Sequence, residues 1–186
     1  MMERTQPEAW LQTFTGRQFW PLEPDPADVH IEDIAHALAN ICRYGGHSNR
    51  FYSVAEHSVL VASRTGIGGL LHDAAEAYIG DMVRPLKHSS VMQPWYDEVE
   101  DRLLTAIYGG LLGIVPPSGL LLAAIKEADD RVLATEKRAL HHAGHPWVLP
   151  APYEGMAIKC LTPREAEALF LSEWERMRPA RRGVRA

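Results

Sequence analysis

The stretch from Leu70 to Asp81, which reads Leu-Leu-His-Asp-Ala-Ala-Glu-Ala-Tyr-Ile-Gly-Asp, constrains this chain more than any other. Its leucines and alanines favour an α-helix that ends at the glycine. On that helix His72 and Glu76 are i,i+4 neighbours, and Asp73 and Glu76 are i,i+3 neighbours. Each buried polar group without a partner costs about 1–3 kcal/mol, so packing alone does not explain this pattern. The stretch therefore predicts a site that binds a metal ion or transfers protons.

Length and cysteine content indicate an ordinary single-domain protein. The 186 residues predict one domain over residues 1–178, followed by a basic, flexible tail at 179–186. No apolar run approaches the length of a membrane span, and the first residues lack a signal-peptide segment. Cys42 and Cys160 form no CxxC pair, which argues against a disulfide scaffold or a thiolate zinc site. We therefore expect a cytoplasmic protein that has no membrane partner.

The charge distribution argues against a nucleic-acid partner. The net charge is −5, and the last eleven residues hold five arginines and no acid. The rest of the chain therefore carries about −10, which makes it a poor surface for nucleic acid. The basic tail either contacts phosphates or a partner, or is a solvated terminus.

Hydrophobic periodicity predicts an all-α fold, a compact helical bundle with minor short β-strands. The aromatic residues 9–22 predict a small hairpin, and a short strand is expected near 157–160. The predicted helices cover Ile31–Cys42, 53–64, 70–80, 94–108, Leu120–His142 and 162–177.

Several residues are expected to begin or separate these helices. Asp28 is a candidate N-cap for the first helix, and Ser53 with Glu56 matches a capping box. Thr162 followed by Pro163 is typical of a helix start. Glycine-rich segments at 66–69 and 109–119 are expected to be connections.

Two further helices carry candidate ligands for the same ion. His57 lies in a mainly apolar helix, and Asp129 lies beside the buried stripe of the longest helix. Together with His72 and Asp73 they form a set of two imidazoles and two carboxylates. That set suits Mn, Fe, Co, Ni or Zn better than Ca or a purely Mg site. Two of these residues also have a simpler interpretation. His57 alone is typical of a core histidine, and Asp129 beside Asp130 is typical of a solvated charge pair.

The order His57, His72-Asp73, Asp129 resembles the H…HD…D signature of the HD phosphohydrolase superfamily. The resemblance covers roughly residues 30–140. It is most specific over His72-Asp73-Ala74-Ala75-Glu76, Gly80-Asp81 and Pro85-Leu86-Lys87. This combination is similar to the small nucleotide-directed branch, which includes bacterial 5′-deoxynucleotidases and phage-type dATP phosphohydrolases. The resemblance implies an HD-type helical bundle.

The resemblance also implies a role for each matching residue. The implied metal ligands are His57, His72, Asp73 and Asp129. Glu76 matches the catalytic carboxylate that takes a proton from water or holds the water in line, and Asp81 matches a second acid that assists it. Matching substrate-binding positions are Arg43 and Lys87 for phosphate and Tyr44 for the sugar. The sequence Gly45-Gly46-His47 departs from the deoxynucleotidase pattern, and His47 is a further candidate for a phosphate contact. Without the resemblance, Arg43 reads equally well as a helix C-terminal charge and Lys87 as a loop lysine.

The implied function is a metal-dependent phosphohydrolase that cleaves phosphate from deoxynucleotides or nucleotides, as monophosphates or triphosphates. The cofactor is a divalent ion (Co²⁺, Mn²⁺, Zn²⁺, Fe²⁺ or Ni²⁺), with Mg²⁺ accompanying a triphosphate. The alternatives are a triphosphohydrolase that releases whole triphosphate, a nuclease or cyclic-dinucleotide phosphodiesterase, and a nucleotide-binding regulatory module without turnover. We also expect a homo-oligomer, with Gly109–Leu122 as a candidate interface. Phe19 and Trp20 read as core residues, with stacking against a base as the alternative.

Overall fold

The chain folds into a bundle of α-helices with one small hairpin, as seen in a computed structural model that describes residues 5–180. The elements are β1 (Leu11–Gln12), β2 (Gln18–Phe19), α1 (Ile31–Asn40), α2 (Val54–Thr65), α3 (Ile67–Leu70), α4 (Glu76–Ile79), α5 (Arg84–Lys87), α6 (Gln93–Leu112), α7 (Gly119–Leu140) and α8 (Pro163–Met177). A 3₁₀ turn lies at Pro26–Asp28, and Arg43–Gly46 form a turn in which Tyr44 and Gly45 have left-handed φ values of 61° and 59°. The predicted all-α class with minor strands is confirmed. The predicted basic tail lies largely outside the described residues.

The main core lies where α1, α2, α6 and α8 pack together. Amphipathic helices supply its apolar side chains, such as Ile34 and Leu38 from α1 and Phe170 from α8, all fully buried. The last helix begins as predicted, because Thr162 accepts from the Glu165 N–H in a complete capping box and Pro163 occupies the first turn.

The aromatic N-terminal segment forms the predicted hairpin. Strands β1 and β2 pair antiparallel, with Leu11 opposite Phe19. Phe19 is fully buried and stacks on Tyr78, with ring centroids 3.8 Å apart. Its interpretation as a core residue is confirmed. Trp20 is half-buried and donates its indole N–H to the Pro7 carbonyl oxygen at 3.1 Å.

The helix predicted over residues 70–80 is interrupted, and this corrects the sequence prediction. Helix α3 ends at Leu70 and α4 begins at Glu76, with turns between them. The N–H groups of Ala74 and Glu76 donate to carbonyls three residues back, at 3.1 and 3.0 Å. His72 and Glu76 are therefore not i,i+4 neighbours on one α-helix.

The glycine-rich segment before this turn is helical rather than a simple connection. Gly66, with φ of 67°, ends α2, and α3 begins at the next residue. A Cβ atom on Gly69 would lie 2.1 Å from Thr65 Oγ1 and 2.9 Å from the Val61 carbonyl carbon. The glycines are needed for this close packing of α2 against α3.

Helix α6 also continues past the predicted loop start. It includes Gly109 and Gly110 and ends at Leu112, followed by Gly113 in the left-handed conformation. A Cβ atom on Gly110 would lie 2.2 Å from the Pro26 carbonyl oxygen. Glycine at this position therefore permits close backbone packing inside a helix rather than marking a helix end.

The predicted N-cap of α1 is wrong. Asp28 belongs to the preceding 3₁₀ turn, and His30 occupies the N-cap position of α1 without a side-chain hydrogen bond. The 3₁₀ turn is itself capped by Asp25, whose carboxylate accepts from the Ala27 N–H. The extra turn separates Asp28 from the first N–H groups of the helix.

The capping box predicted at α2 forms only in part. Ser53 Oγ accepts from the Glu56 N–H at 3.1 Å, as expected. The Glu56 carboxylate instead accepts from the backbone N–H groups of Lys159, Cys160 and Leu161 at 2.7–3.1 Å. Residues 157–160, predicted as a short strand, therefore form no strand and bind a distant side chain.

The first turn of α7 projects from the bundle. Leu121 and Ala124, predicted as part of the buried stripe, are exposed, and burial begins at Ile125. Leu120 is 91% exposed. The subunit interface expected at Gly109–Leu122 stays a prediction. None of the helices formed by residues 5–180 has both the length and the apolar character needed to span a membrane.

Candidate metal centre

The four predicted metal ligands converge from three parts of the chain. His57 comes from α2, His72 and Asp73 from the turn before α4, and Asp129 from α7. The two Nε2 atoms of His57 and His72 lie 3.3 Å apart, and Asp129 Oδ1 lies 3.1 Å from His57 Nε2. Asp73 Oδ2 lies 3.5 and 3.2 Å from the same two nitrogens. Ligand atoms of His57, His72 and Asp129 all lie within 4.8 Å of one another, so the group can hold one metal ion.

Hydrogen bonds fix both imidazoles in the tautomer that a metal requires. His57 Nδ1 lies 2.6 Å from Glu136 Oε1, and His72 Nδ1 lies 2.8 Å from the Gly69 carbonyl oxygen. Both oxygens accept hydrogen bonds, so each Nδ1 carries a proton, and each Nε2 presents its lone pair when its imidazole is neutral. Two lone pairs facing each other at 3.3 Å need a cation or a proton between them. The donor set therefore fits a divalent transition metal.

Glu136 is the most important residue that sequence reasoning missed. Its side chain is fully buried and accepts from His57 Nδ1, from the Tyr52 hydroxyl at 2.8 Å and from the Tyr44 hydroxyl. Arg43 Nη2 lies 3.4 Å from its other oxygen. The sequence contains one indication of this role. Glu136 lies seven residues after Asp129, which places both carboxylates on the same face of α7.

The pKa values of this network follow from charge pairing in a buried site. Burial and Arg43 lower the pKa of His57, but Glu136 and Asp129 raise it to about 9. Burial raises the pKa of Glu136, but Arg43 and His57 bring it down to about 2. Burial likewise raises the pKa of Asp129, and hydrogen bonding and charge from His57 outweigh it, so the net pKa is well below its usual range. The positive charges of Arg43 and His57 therefore balance the two ionised carboxylates of Glu136 and Asp129.

Arg43 and Tyr44 reach the centre from a strained turn. The buried Arg43 donates from Nη1 to Asp73 Oδ2 at 3.5 Å, so its charge is directed at the metal centre rather than at the end of α1. Tyr44 has a φ of 61°, a left-handed conformation that costs a non-glycine residue on the order of 1 kcal/mol. Its N–H donates to Asp81 Oδ2 at 3.2 Å and its hydroxyl donates to Glu136. These contacts hold the strained turn against the site.

The two predicted proton-handling acids lie in different environments. Glu76 is 4% exposed on α4, and its Oε2 has no hydrogen-bond partner among the described residues. Burial, followed by the charges of Asp73 and Asp81, raises the pKa of Glu76 well above its usual value. Asp81 is half-buried and accepts from the Tyr44 N–H.

A cleft of about 540 Å³ opens beside the metal centre. It is lined by Arg43, Tyr44, His47, Asp81, Met82, Val83, Arg84, Pro85, Leu133, His141, Trp147, Val148 and Leu149. Three of the four predicted substrate-binding residues belong to this lining. Lys87 does not, since its Nζ lies 2.9 Å from Glu100 Oε1 and 4.6 Å from the centre of the Tyr96 ring.

Arg84 is a second residue that the sequence prediction did not assign. Its Nη2 donates to Asp129 Oδ2 at 3.1 Å and to Asp130 Oδ1 at 2.9 Å, at the exposed side of the cleft. It therefore orients one predicted ligand and places a second guanidinium next to the cleft. The signal was its position three residues after Asp81, within the segment that carries the resemblance.

These features define a helical protein with a two-histidine, two-carboxylate cluster beside an open cleft. The chain is 36% identical over 184 residues to an uncharacterized protein of Rhodobacter capsulatus, which covers 87% of this chain and 92% of the relative. It is 38% identical over 139 residues to the uncharacterized protein YfdR of Escherichia coli, which covers 71% of this chain and 72% of YfdR. The chain belongs to the family of these two proteins. No protein-family model matches the chain.

Proposed function

We propose that this protein is a metal-dependent phosphohydrolase of the HD type that removes phosphate from deoxynucleotides or nucleotides. The observation that carries the proposal is the convergence of His57, His72 and Asp129 beside a cleft, with Asp73 Oδ2 3.5 and 3.2 Å from the two imidazole Nε2 atoms. The order of these residues in the chain and the two imidazole tautomers support it. A small anionic substrate that binds in a cleft is our preferred class, since the net charge of −5 does not favour a large nucleic-acid partner.

The chain's own groups supply binding and proton transfer. A divalent ion held by the four ligands would supply Lewis-acid activation of water and of a phosphoryl oxygen. Burial lowers the pKa of Arg43, but Glu136 and the neighbouring acids keep it well above its usual value, so the guanidinium remains charged to bind phosphate oxygens.

Glu76 is the residue that we assign to accept a proton, at Oε2. Burial is the largest cause of its raised pKa, and the charge of Asp73 adds to it. A cation held at Asp73 would offset this second contribution and favour the ionised carboxylate that a general base requires. Asp81 uses one oxygen to accept from the Tyr44 N–H, and we assign the other to the water or the leaving oxygen.

Two of the predicted substrate contacts, that of Lys87 with phosphate and that of Tyr44 with the sugar, need adjustment. Lys87 is paired with Glu100 and is left out of the proposed substrate contacts. The Tyr44 hydroxyl is committed to Glu136, so its ring face is what remains to contact the sugar. His47 is exposed at the cleft and is assigned to phosphate.

Release of a whole triphosphate is the second candidate function. Arg84 favours it, because this residue lines the cleft and brings a second guanidinium to it, which an anionic group beyond the first phosphate would share with Asp129 and Asp130. Chromatography of the products separates the two functions, since one yields inorganic phosphate and the other yields nucleoside and triphosphate.

The test is a substrate panel of deoxynucleoside and nucleoside mono- and triphosphates with the metal varied among Co²⁺, Mn²⁺, Zn²⁺, Fe²⁺, Ni²⁺ and Mg²⁺. We expect phosphate release that requires metal, stops on chelation and falls at least about 100-fold in Asp73→Ala. The control is Asp101→Ala, which removes an exposed carboxylate from α6. Release that is unchanged by chelation or by Asp73→Ala would refute the proposal. Tight nucleotide binding without turnover under every metal would favour a regulatory module instead.

A further inference from the structure

The cleft beside the metal centre is lined by two kinds of side chain. Arg43, Asp81 and Arg84 are charged, and the two arginines contact the candidate ligands Asp73 and Asp129. Tyr44, His141 and Trp147 are aromatic. A molecule that fills the whole cleft must therefore combine an anionic part with a flat apolar part.

The three aromatic side chains of the lining form one cluster. The Tyr44 and His141 rings meet edge to face, with centroids 4.6 Å apart at 86°. The Trp147 ring lies 5.1 Å from His141 and 6.2 Å from Tyr44, tilted by about 50° to both. They come from the turn after α1, the end of α7 and the segment that follows, so only the folded chain brings them together.

Two features leave this cluster able to contact a ligand. Trp147 is 41% exposed although it is one of the largest apolar side chains, whereas Trp174 in the core is 5% exposed. His141 Nε2 is buried and has no hydrogen-bond partner among the described residues. An aromatic surface next to an unused nitrogen fits a planar ring that carries polar edge atoms.

The dimensions and connections of the cleft agree with such a ligand. Its volume of about 540 Å³ lies in the usual range for small-molecule sites. Tyr44 connects the aromatic cluster to the metal centre, because its ring contacts His141 and its hydroxyl donates to Glu136, which accepts from the candidate ligand His57. A phosphate at the metal centre and a planar ring at Trp147 can therefore belong to one molecule.

We infer that Trp147 and His141 form a stacking subsite for the base of the nucleotide substrate, so Trp147 is the residue that distinguishes nucleotides from phosphate esters without a planar ring. The choice of a nucleotide base as the ring rests on the proposed function. Stacking on an aromatic face is available to every base, so this subsite admits all four bases with small differences.

The test uses metal-free protein and separates the two halves of the ligand. Binding of 2′-deoxyadenosine, which lacks phosphate, and of 2-deoxyribose 5-phosphate, which lacks a base, is measured by titration calorimetry. We expect Trp147→Ala to weaken nucleoside binding about tenfold, from the loss of one stacking contact, and to leave binding of the sugar phosphate unchanged. Trp147→Phe should retain most of the nucleoside affinity. Trp95→Ala is the matched control, since Trp95 is 49% exposed on α6 and does not line this cleft.

Three results would overturn the inference. The first is that the wild-type protein does not bind the nucleoside. The second is that wild type and Trp147→Ala bind the nucleoside with equal affinity. The third is that Trp147→Ala weakens binding of the nucleoside and of the sugar phosphate equally. The measurement does not depend on turnover, so it separates this inference from the proposed function. Nucleoside binding through Trp147 without phosphate release would remove the proposed function alone. Phosphate release from deoxynucleotides with the same KM in Trp147→Ala would remove this inference alone.

Discussion

Removal of the Glu136 carboxylate is the perturbation to which the candidate site should be most sensitive. Glu136→Ala deletes the acceptor of His57 Nδ1 and of the Tyr52 hydroxyl, both of which are fully buried. It also leaves the buried charge of Arg43 without its partner at 3.4 Å. Glu136→Gln keeps the volume and one acceptor oxygen, but it removes the charge and turns the second oxygen into a donor.

The expected magnitudes follow from these contacts. Breaking a buried ion pair from one side costs about 3–5 kcal/mol, which is the loss we expect for Glu136→Ala. A hydrogen bond to a charged group contributes about 1.5–3 kcal/mol, so Glu136→Gln should lose about 2–3 kcal/mol. Domains are stable by only about 5–15 kcal/mol, so either change is a large share of the total. Loss of the group that orients His57 should also weaken metal binding about 10- to 100-fold.

Urea unfolding of the metal-free protein is monitored by circular dichroism. It measures the change in the free energy of unfolding if the m-value is the same in both proteins. Metal titration by calorimetry measures the affinity change in the Gln variant. Glu127→Ala is the control, because this carboxylate is exposed on the same helix and should change stability by less than about 0.5 kcal/mol. If the free energy of unfolding of Glu136→Ala lies within about 1 kcal/mol of the wild-type value, then the buried network does not stabilise the fold as described.

Three further changes test the packing around the site. Gly110→Ala should lose about 1–3 kcal/mol of unfolding free energy, because the new Cβ would lie 2.2 Å from the Pro26 carbonyl oxygen. Glu56→Ala should lose on the order of 2 kcal/mol and speed hydrogen exchange at the three amides that its carboxylate now accepts from. Thr162→Ala should lose about 1 kcal/mol through the N-cap of α8, as measured by urea unfolding.

Each of these changes has a matched control in the chain. Gly144→Ala meets no atom within 4 Å, so it should be neutral where Gly110→Ala is not. Thr105→Ala alters an exposed threonine inside α6, and Glu127→Ala again removes an exposed carboxylate. A variant that matched its control in unfolding or in amide exchange would show that the corresponding contact contributes nothing measurable.

Local signals predicted much of the fold. The amphipathic spacing of α1, the N-cap at Thr162 that begins α8 and the aromatic hairpin depend on residues a few positions apart, and all appear in the structure. The break at residues 71–75 was missed because helix propensity favours a continuous helix there. The break is stabilised instead by the close packing of Gly69 against α2 and by the hydrogen bond that the Gly69 carbonyl oxygen accepts from His72 Nδ1.

The amino-acid sequence by itself determined the helical class and the chemistry of the four candidate ligands, because periodicity and donor type are properties of nearby residues. Only the tertiary structure decided what surrounds them. Glu136 became the partner of His57 across 79 positions, and Trp147 joined Tyr44 and His141 at the cleft. Such contacts join residues that are far apart in the chain, and a buried charge finds its partner only when folding excludes water from both.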